Sequence, residues 1–173
     1  MKYQSANITL ENVTGLWRNL LIAFVITLSF GYATGIYYLT LTSGTQVQGI
    51  QENYLGNEDD EYAIEMKFKK SEKEVISIIH SHVISFSLIF LSIGSLLLLT
   101  SYPTPLKSIL VIEPFISIIL TFGGIWLLWK GVAWMKYVII ISGTLMNLAY
   151  GFMVTLVLIA LLKPRRLTES HQK

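Results

Sequence analysis

The sequence predicts an all-α integral membrane protein, an antiparallel four-helix bundle occupying residues 1–173 as one membrane domain. Three observations carry that prediction. Charged residues make up 14% of the chain, well below the about 25% usual in a soluble domain. Most of the charge sits in residues 52–74 and in the tail from Lys163. Four apolar runs lie outside those regions, each longer than the roughly 20 helical residues that cross a hydrocarbon core of about 30 Å.

The first span is expected over residues 16–41. Polar residues lead into it, with Arg18 at its edge, and the apolar run is too long for a cleaved signal segment. The second span is expected over 75–100, the third over 106–129 and the fourth over 137–162. The runs are continuously apolar rather than alternating, which favours helices over barrel strands.

The connections differ in character. Thr100-Ser101-Tyr102-Pro103-Thr104-Pro105 is a short, stiff link whose prolines end one helix and fix the entry to the next. Lys130 to Lys136 is a tight turn with aromatic and basic residues at headgroup level. Residues 43–74 form the one substantial loop. It carries eight acids (Glu52, Glu58, Asp59, Asp60, Glu61, Glu65, Glu72, Glu74) against Lys67, Lys69, Lys70 and Lys73. Lys and Arg are nearly balanced between the two sides of the membrane. The dense cluster Lys163-Pro164-Arg165-Arg166 behind the last span favours cytoplasmic termini in the inner (plasma) membrane and an extracytoplasmic loop.

Composition also excludes. With no cysteine there is no thiolate zinc site, iron–sulfur cluster, covalently attached haem or disulfide. A formal net charge of +2 does not suggest a nucleic-acid partner. No phosphate-binding glycine loop, nucleophile elbow or zinc-protease motif marks an enzyme. Asn7-Ile8-Thr9 and Asn12-Val13-Thr14 match glycosylation sequons that a cytoplasmic N-terminus would leave unused.

Ser71-Glu72-Lys73-Glu74 fits a capping box ahead of the second span. From Val75, His80 and His82 then fall about 8–10 Å inside the hydrocarbon edge. Ionisable residues at that depth are usually functional or packed inward. The two histidines point about 200° apart on a regular helix and cannot chelate one metal together. One is expected to face the bundle, the other a second helix, a subunit or a ligand. Ser81, Ser85, Ser92 and Ser95 form a polar stripe on the same helix, and His80, Ser87 and Gly94 a second seam at sevenfold spacing. Neutral imidazole is a standard ligand of haem b. Only His171 accompanies the pair, so a haem would need Met135, a histidine from a second copy, or an open sixth position. Copper on His80 or His82 with Met135 is a further option. The bland alternative is that both histidines hydrogen-bond within the bundle.

Glu113, followed by Pro114, lies deep in the third span. Pro114 removes a backbone donor and frees the Leu110 carbonyl, so a kink is expected there. Glu113 reads as a proton-relay or quinone-binding group, or as a neutral acid bonded across to Ser92, Ser95 or Tyr102. Asn147, between Gly143 and Gly151, and the pair Gly31/Gly35 read as close helix contacts. Trp17, Trp126, Trp129 and Trp134 read as interfacial belts.

The run Ile79-His80-Ser81-His82-Val83 resembles the H-x-H at the head of a helix in small bacterial four-helix membrane proteins. Tyr54-Leu55-Gly56-Asn57-Glu58 and Lys69-Lys70-Ser71 fit the same likeness. It also resembles the H-x-H of the haem-copper oxidase and nitric oxide reductase superfamily, which implies a haem-ligand role for His80 or His82. The rest of that superfamily's ligand set is missing, which excludes an oxidase core. Three functions are therefore expected in order: a haem- or metal-binding accessory of respiratory electron transfer, a non-catalytic bundle packed in a larger complex, and a small proton or lipophile carrier that uses Glu113 and the serine stripe.

Overall fold

A computed structural model describes residues 9–43, 47–58, 60, 63 and 65–163. The tail with His171, Arg165 and Arg166, and the sequon residue Asn7, lie outside them. Among the described residues, five α-helices follow a 3-10 turn at Leu10–Asn12: α1 (Gly15–Thr42), α2 (Val47–Leu55), α3 (Glu72–Leu98), α4 (Thr104–Trp129) and α5 (Met135–Leu162). No strand occurs among the described residues. Helices α1, α3, α4 and α5 are each long and apolar enough to cross a bilayer, so the chain is a multi-pass membrane protein.

Local chemistry sets the helix ends. Ser71 caps α3 by the expected reciprocal box: its hydroxyl accepts from the Glu74 N–H, and the Glu74 carboxylate accepts from the Ser71 N–H at 2.7 Å. Helix α3 therefore begins three residues before Val75. Pro103 caps α4 and Pro105 sits in its first turn, where a missing N–H costs nothing. Gly131 closes α4 with φ 103. Helix α4 runs unbroken through the buried Pro114.

Helix α4 packs between α3 and α5, and α1 leans on α5. Gly124 lets α5 come close, since a Cβ there would meet the Ile139 side chain at 3.0 Å. Gly94 faces Val111 across the α3/α4 contact, but His80 on the same seam is exposed. Helix α1 buries only Val25 and Tyr32. Tyr32 stacks on Tyr150 at 3.7 Å and donates to Asn147 Oδ1 at 2.7 Å. Phe86 and Phe90 meet it edge-on. Asn147 thus ties α1 to α5 by a hydrogen bond. The glycines expected to make close contacts do not: a Cβ at Gly31, Gly35, Gly143 or Gly151 would meet nothing within 4 Å. Small residues permit a close approach, but here no neighbouring helix of the chain occupies the space.

The expectation that 43–74 is a plain loop is also corrected. Helix α2 lies within it and buries Tyr54, with Ile50 and Leu55 against the core. Lys136 donates to Gln51 Oε1 at 2.9 Å, pinning α2 to the head of α5. Gly56, at φ 82, turns the chain out of α2. Asn57 then bridges to the returning segment through Lys67 N–H and the Glu65 carbonyl.

On the opposite end, the 3-10 turn clasps the α3–α4 link. Leu10 is buried and donates its N–H to Leu99 O at 2.8 Å. Glu11 accepts from the Ser101 N–H at 2.9 Å and its hydroxyl at 2.7 Å. Burial pushes the Glu11 carboxyl up, but the Ser101 bonds outweigh it and hold the group below the ordinary carboxylate range. A lowered folded value means the contribution is full above the unfolded carboxylate range and is lost as pH falls through the folded value. Protection factors at residues 10–13, with the intrinsic exchange rate divided out, should therefore be high at neutral pH and fall on acidification. Glu11→Gln should flatten that dependence.

Candidate functional site

Helices α4 and α5 leave between them a groove of about 640 Å³, within the size range of small-molecule sites. Its walls are aliphatic, and Ile109, Ile112, Ile116 and Ile141 on its rim are exposed. In a spanning helix, exposed isoleucines face hydrocarbon, so the groove opens sideways into the bilayer. Glu113 lines it, about 13 Å along α4 from its first residue.

The Glu113 carboxyl has two dissimilar oxygens. Oε1 accepts from the Ser117 hydroxyl one turn on. Oε2 is buried and has no hydrogen-bond partner. An unmet buried polar atom costs about 1–3 kcal/mol, so its persistence asks for a use. The expected bonds from Glu113 across to Ser92, Ser95 or Tyr102 are not made. The partner comes from its own helix.

Ser117 belongs to a polar ladder that sequence reasoning passed over. Glu113, Ser117 and Thr121 recur every fourth residue, one above another on α4. Thr121 and Ser142 of α5 share a hydrogen bond of 2.7 Å, and Ser142 also donates to Val138 O. Ser117, Thr121 and Ser142 are all buried. Spacing alone carries this signal. The serine stripe of α3, by contrast, does not reach Glu113. Ser81, Ser92 and Ser95 each donate to the carbonyl four residues earlier, and Ser85 is exposed without a side-chain bond. An apolar helix satisfies its own serines in this way.

The histidines lie elsewhere. His82 rests against Phe86 and Phe122, at ring separations of 5.9 and 5.5 Å. Its Nδ1 is 2.8 Å from Ile78 O. A carbonyl only accepts, so Nδ1 donates to it and Nε2 is the ring nitrogen left for another partner. His80 is exposed. Met135 packs against the core at the head of α5. No group of three or more His, Asp or Glu side chains positioned for a metal occurs among the described residues.

No curated protein and no solved structure matches the chain, and nothing found connects it to the haem-copper oxidase superfamily. One family model does match, described as a transmembrane helical domain, over residues 44–168. That interval holds α2 to α5 and with them the groove, the ladder and both histidines. Since it covers most of the sequence, the chain belongs to this transmembrane helical domain family, Aq_1264_TM.

Proposed function

We propose that the protein is a small lipophile carrier that holds a bilayer-dissolved molecule in the α4/α5 groove. Glu113 and Ser117 would grip its polar end. The supporting observation is the buried, unpartnered Glu113 Oε2 in a groove open to hydrocarbon. Oε2 is the polar atom left to meet the ligand's polar end, while Oε1 stays with Ser117. The aliphatic walls fit an isoprenoid or acyl body.

A lipid-soluble carbodiimide tests the site in membranes. Such reagents add to protonated carboxyls reached through the bilayer, giving a stable N-acylurea. Glu113 should be the preferred site of labelling, with Glu52, Glu72 and the other loop acids largely spared. Uniform labelling of all acids, or none at Glu113, would sink the reading.

A second reading, the haem- or metal-binding accessory of electron transfer, draws on His82. The Nδ1–Ile78 contact orients the ring and leaves Nε2 as the ligating atom, the arrangement usual in metal-bound histidines. Met135 or a second copy's histidine would have to complete the set, with His80 facing outward. An oxidised-minus-reduced visible spectrum with metal analysis decides it. A Soret band lost in His82→Ala supports the role, and a colourless, metal-free sample removes it.

A further inference from the structure

On the loop side of the bundle, the C-terminal end of α1 and the extended segment 65–70 enclose a second cavity, of about 280 Å³. Its character is opposite to that of the groove. Lys67, Lys70, Asn53 and Thr42 line it, and Glu65 is the one carboxylate among the lining residues. Lys67 donates one N–H to Thr42 O at 3.0 Å, which holds its ammonium in place and leaves two donors. Among the described residues the Lys70 ammonium and the Asn53 amide have no hydrogen-bond partner. Donors outnumber acceptors, and charge favours an anion.

Depth identifies the source of that anion. The Trp129 indole N–H donates to Lys70 O at 2.8 Å, so the cavity sits at the level of the tryptophan belt. Trp126 stacks on Trp129, Lys130 lies 4.7 and 4.8 Å from the two rings, and Lys69 lies 5.2 Å from Trp129. Glu72 offsets Lys130 at 3.6 Å, and Glu74, bonded to Ser71, also feels the charge of Lys70 while lying outside the cavity lining. Leu41 and Phe68, also in the lining, are 63% and 68% exposed. Apolar side chains so exposed beside a polar cavity fit acyl chains, not bulk water.

We propose that this cavity seats the phosphate of an anionic phospholipid from the loop-side leaflet. Lys67, Lys70 and Asn53 hold the phosphate oxygens, and Leu41 and Phe68 lie along the first acyl carbons. The site is independent of the α4/α5 groove.

The test titrates the whole protein in neutral detergent with short-chain phosphatidylglycerol, short-chain phosphatidylcholine or inorganic phosphate. Native mass spectrometry reads occupancy and a melting curve reads stabilisation. Phosphatidylglycerol should bind and raise the melting temperature, and phosphatidylcholine should bind much more weakly. Lys70→Gln should weaken the anionic lipid about fivefold, the effect of one lysine at a membrane surface. Lys67 also braces α1, so Lys70→Gln and Asn53→Ala, which break no internal bond, are the deciding variants. Equal binding of the two lipids, or wild-type affinity in both variants, overturns the proposal. Inorganic phosphate matching phosphatidylglycerol would overturn the lipid as source and make this a free-anion site.

Discussion

Glu113→Leu is expected to give a more stable protein that no longer holds its ligand. The gain follows from Oε2, which is buried without a partner. Removing it relieves about 1–3 kcal/mol, and leucine suits an aliphatic groove of similar depth. Ser117 loses its acceptor but can turn to the carbonyl four residues back, as Ser81, Ser92 and Ser95 do on α3. No new orphan is created. The loss follows from the same atom, because the ligand's polar end would face only methyl groups. One missing hydrogen bond of about 1–2 kcal/mol corresponds to about five- to thirtyfold weaker binding. Denaturant titration in detergent reads the first effect. A destabilised variant would mean that Glu113 serves packing, and the site would lose its rationale.

Tyr32→Ala is expected to have the largest structural effect, and to act on one helix. Val25 and Tyr32 are the only buried residues of α1. Tyr32 alone supplies the stack on Tyr150, the edge contacts to Phe86 and Phe90, and the bond to Asn147. Truncating a packed aromatic side chain costs about 3–5 kcal/mol. Since α1 has so little else, the cost should appear as its detachment rather than as global unfolding. Tyr32→Phe keeps the stack and leaves Asn147 Oδ1 unpaired, at about 1 kcal/mol. The chain has no cysteines, so a cysteine pair introduced across α1 and α5 reports the contact cleanly. Cross-linking should persist in Tyr32→Phe and collapse in Tyr32→Ala. Undiminished cross-linking in Tyr32→Ala would show that other contacts hold α1.

The spans were legible because hydrocarbon imposes one demand, an apolar run of sufficient length, and the sequence meets it four times. The capping box at Ser71 was legible for a similar reason, since its geometry is wholly local. Helix α2 escaped notice because nine amphipathic residues in an acidic loop give a weak periodic signal, and its burial comes from α4 and α5. Residues expected to act across helices were the hardest to read. The α3 serines looked like a polar path, yet backbone carbonyls of their own helix satisfy them. The glycine pairs looked like contact points, yet no neighbour within the chain fills them. Glu113 stood out at once as a carboxyl in an apolar run. Its ladder did not, although Glu113, Ser117 and Thr121 recur at helical spacing, because serine and threonine are common in membrane helices and Ser142 enters from another segment.

Purification of the wild type and Glu113→Leu in parallel, followed by organic extraction and mass spectrometry, tests the carrier reading most directly. The wild type should retain one lipophilic species in stoichiometric amount, enriched over bulk lipid and bearing a polar end. The variant, folded and at least as stable, should lose it. No enriched species in the wild type, or equal amounts in both proteins, would contradict a groove anchored at Glu113.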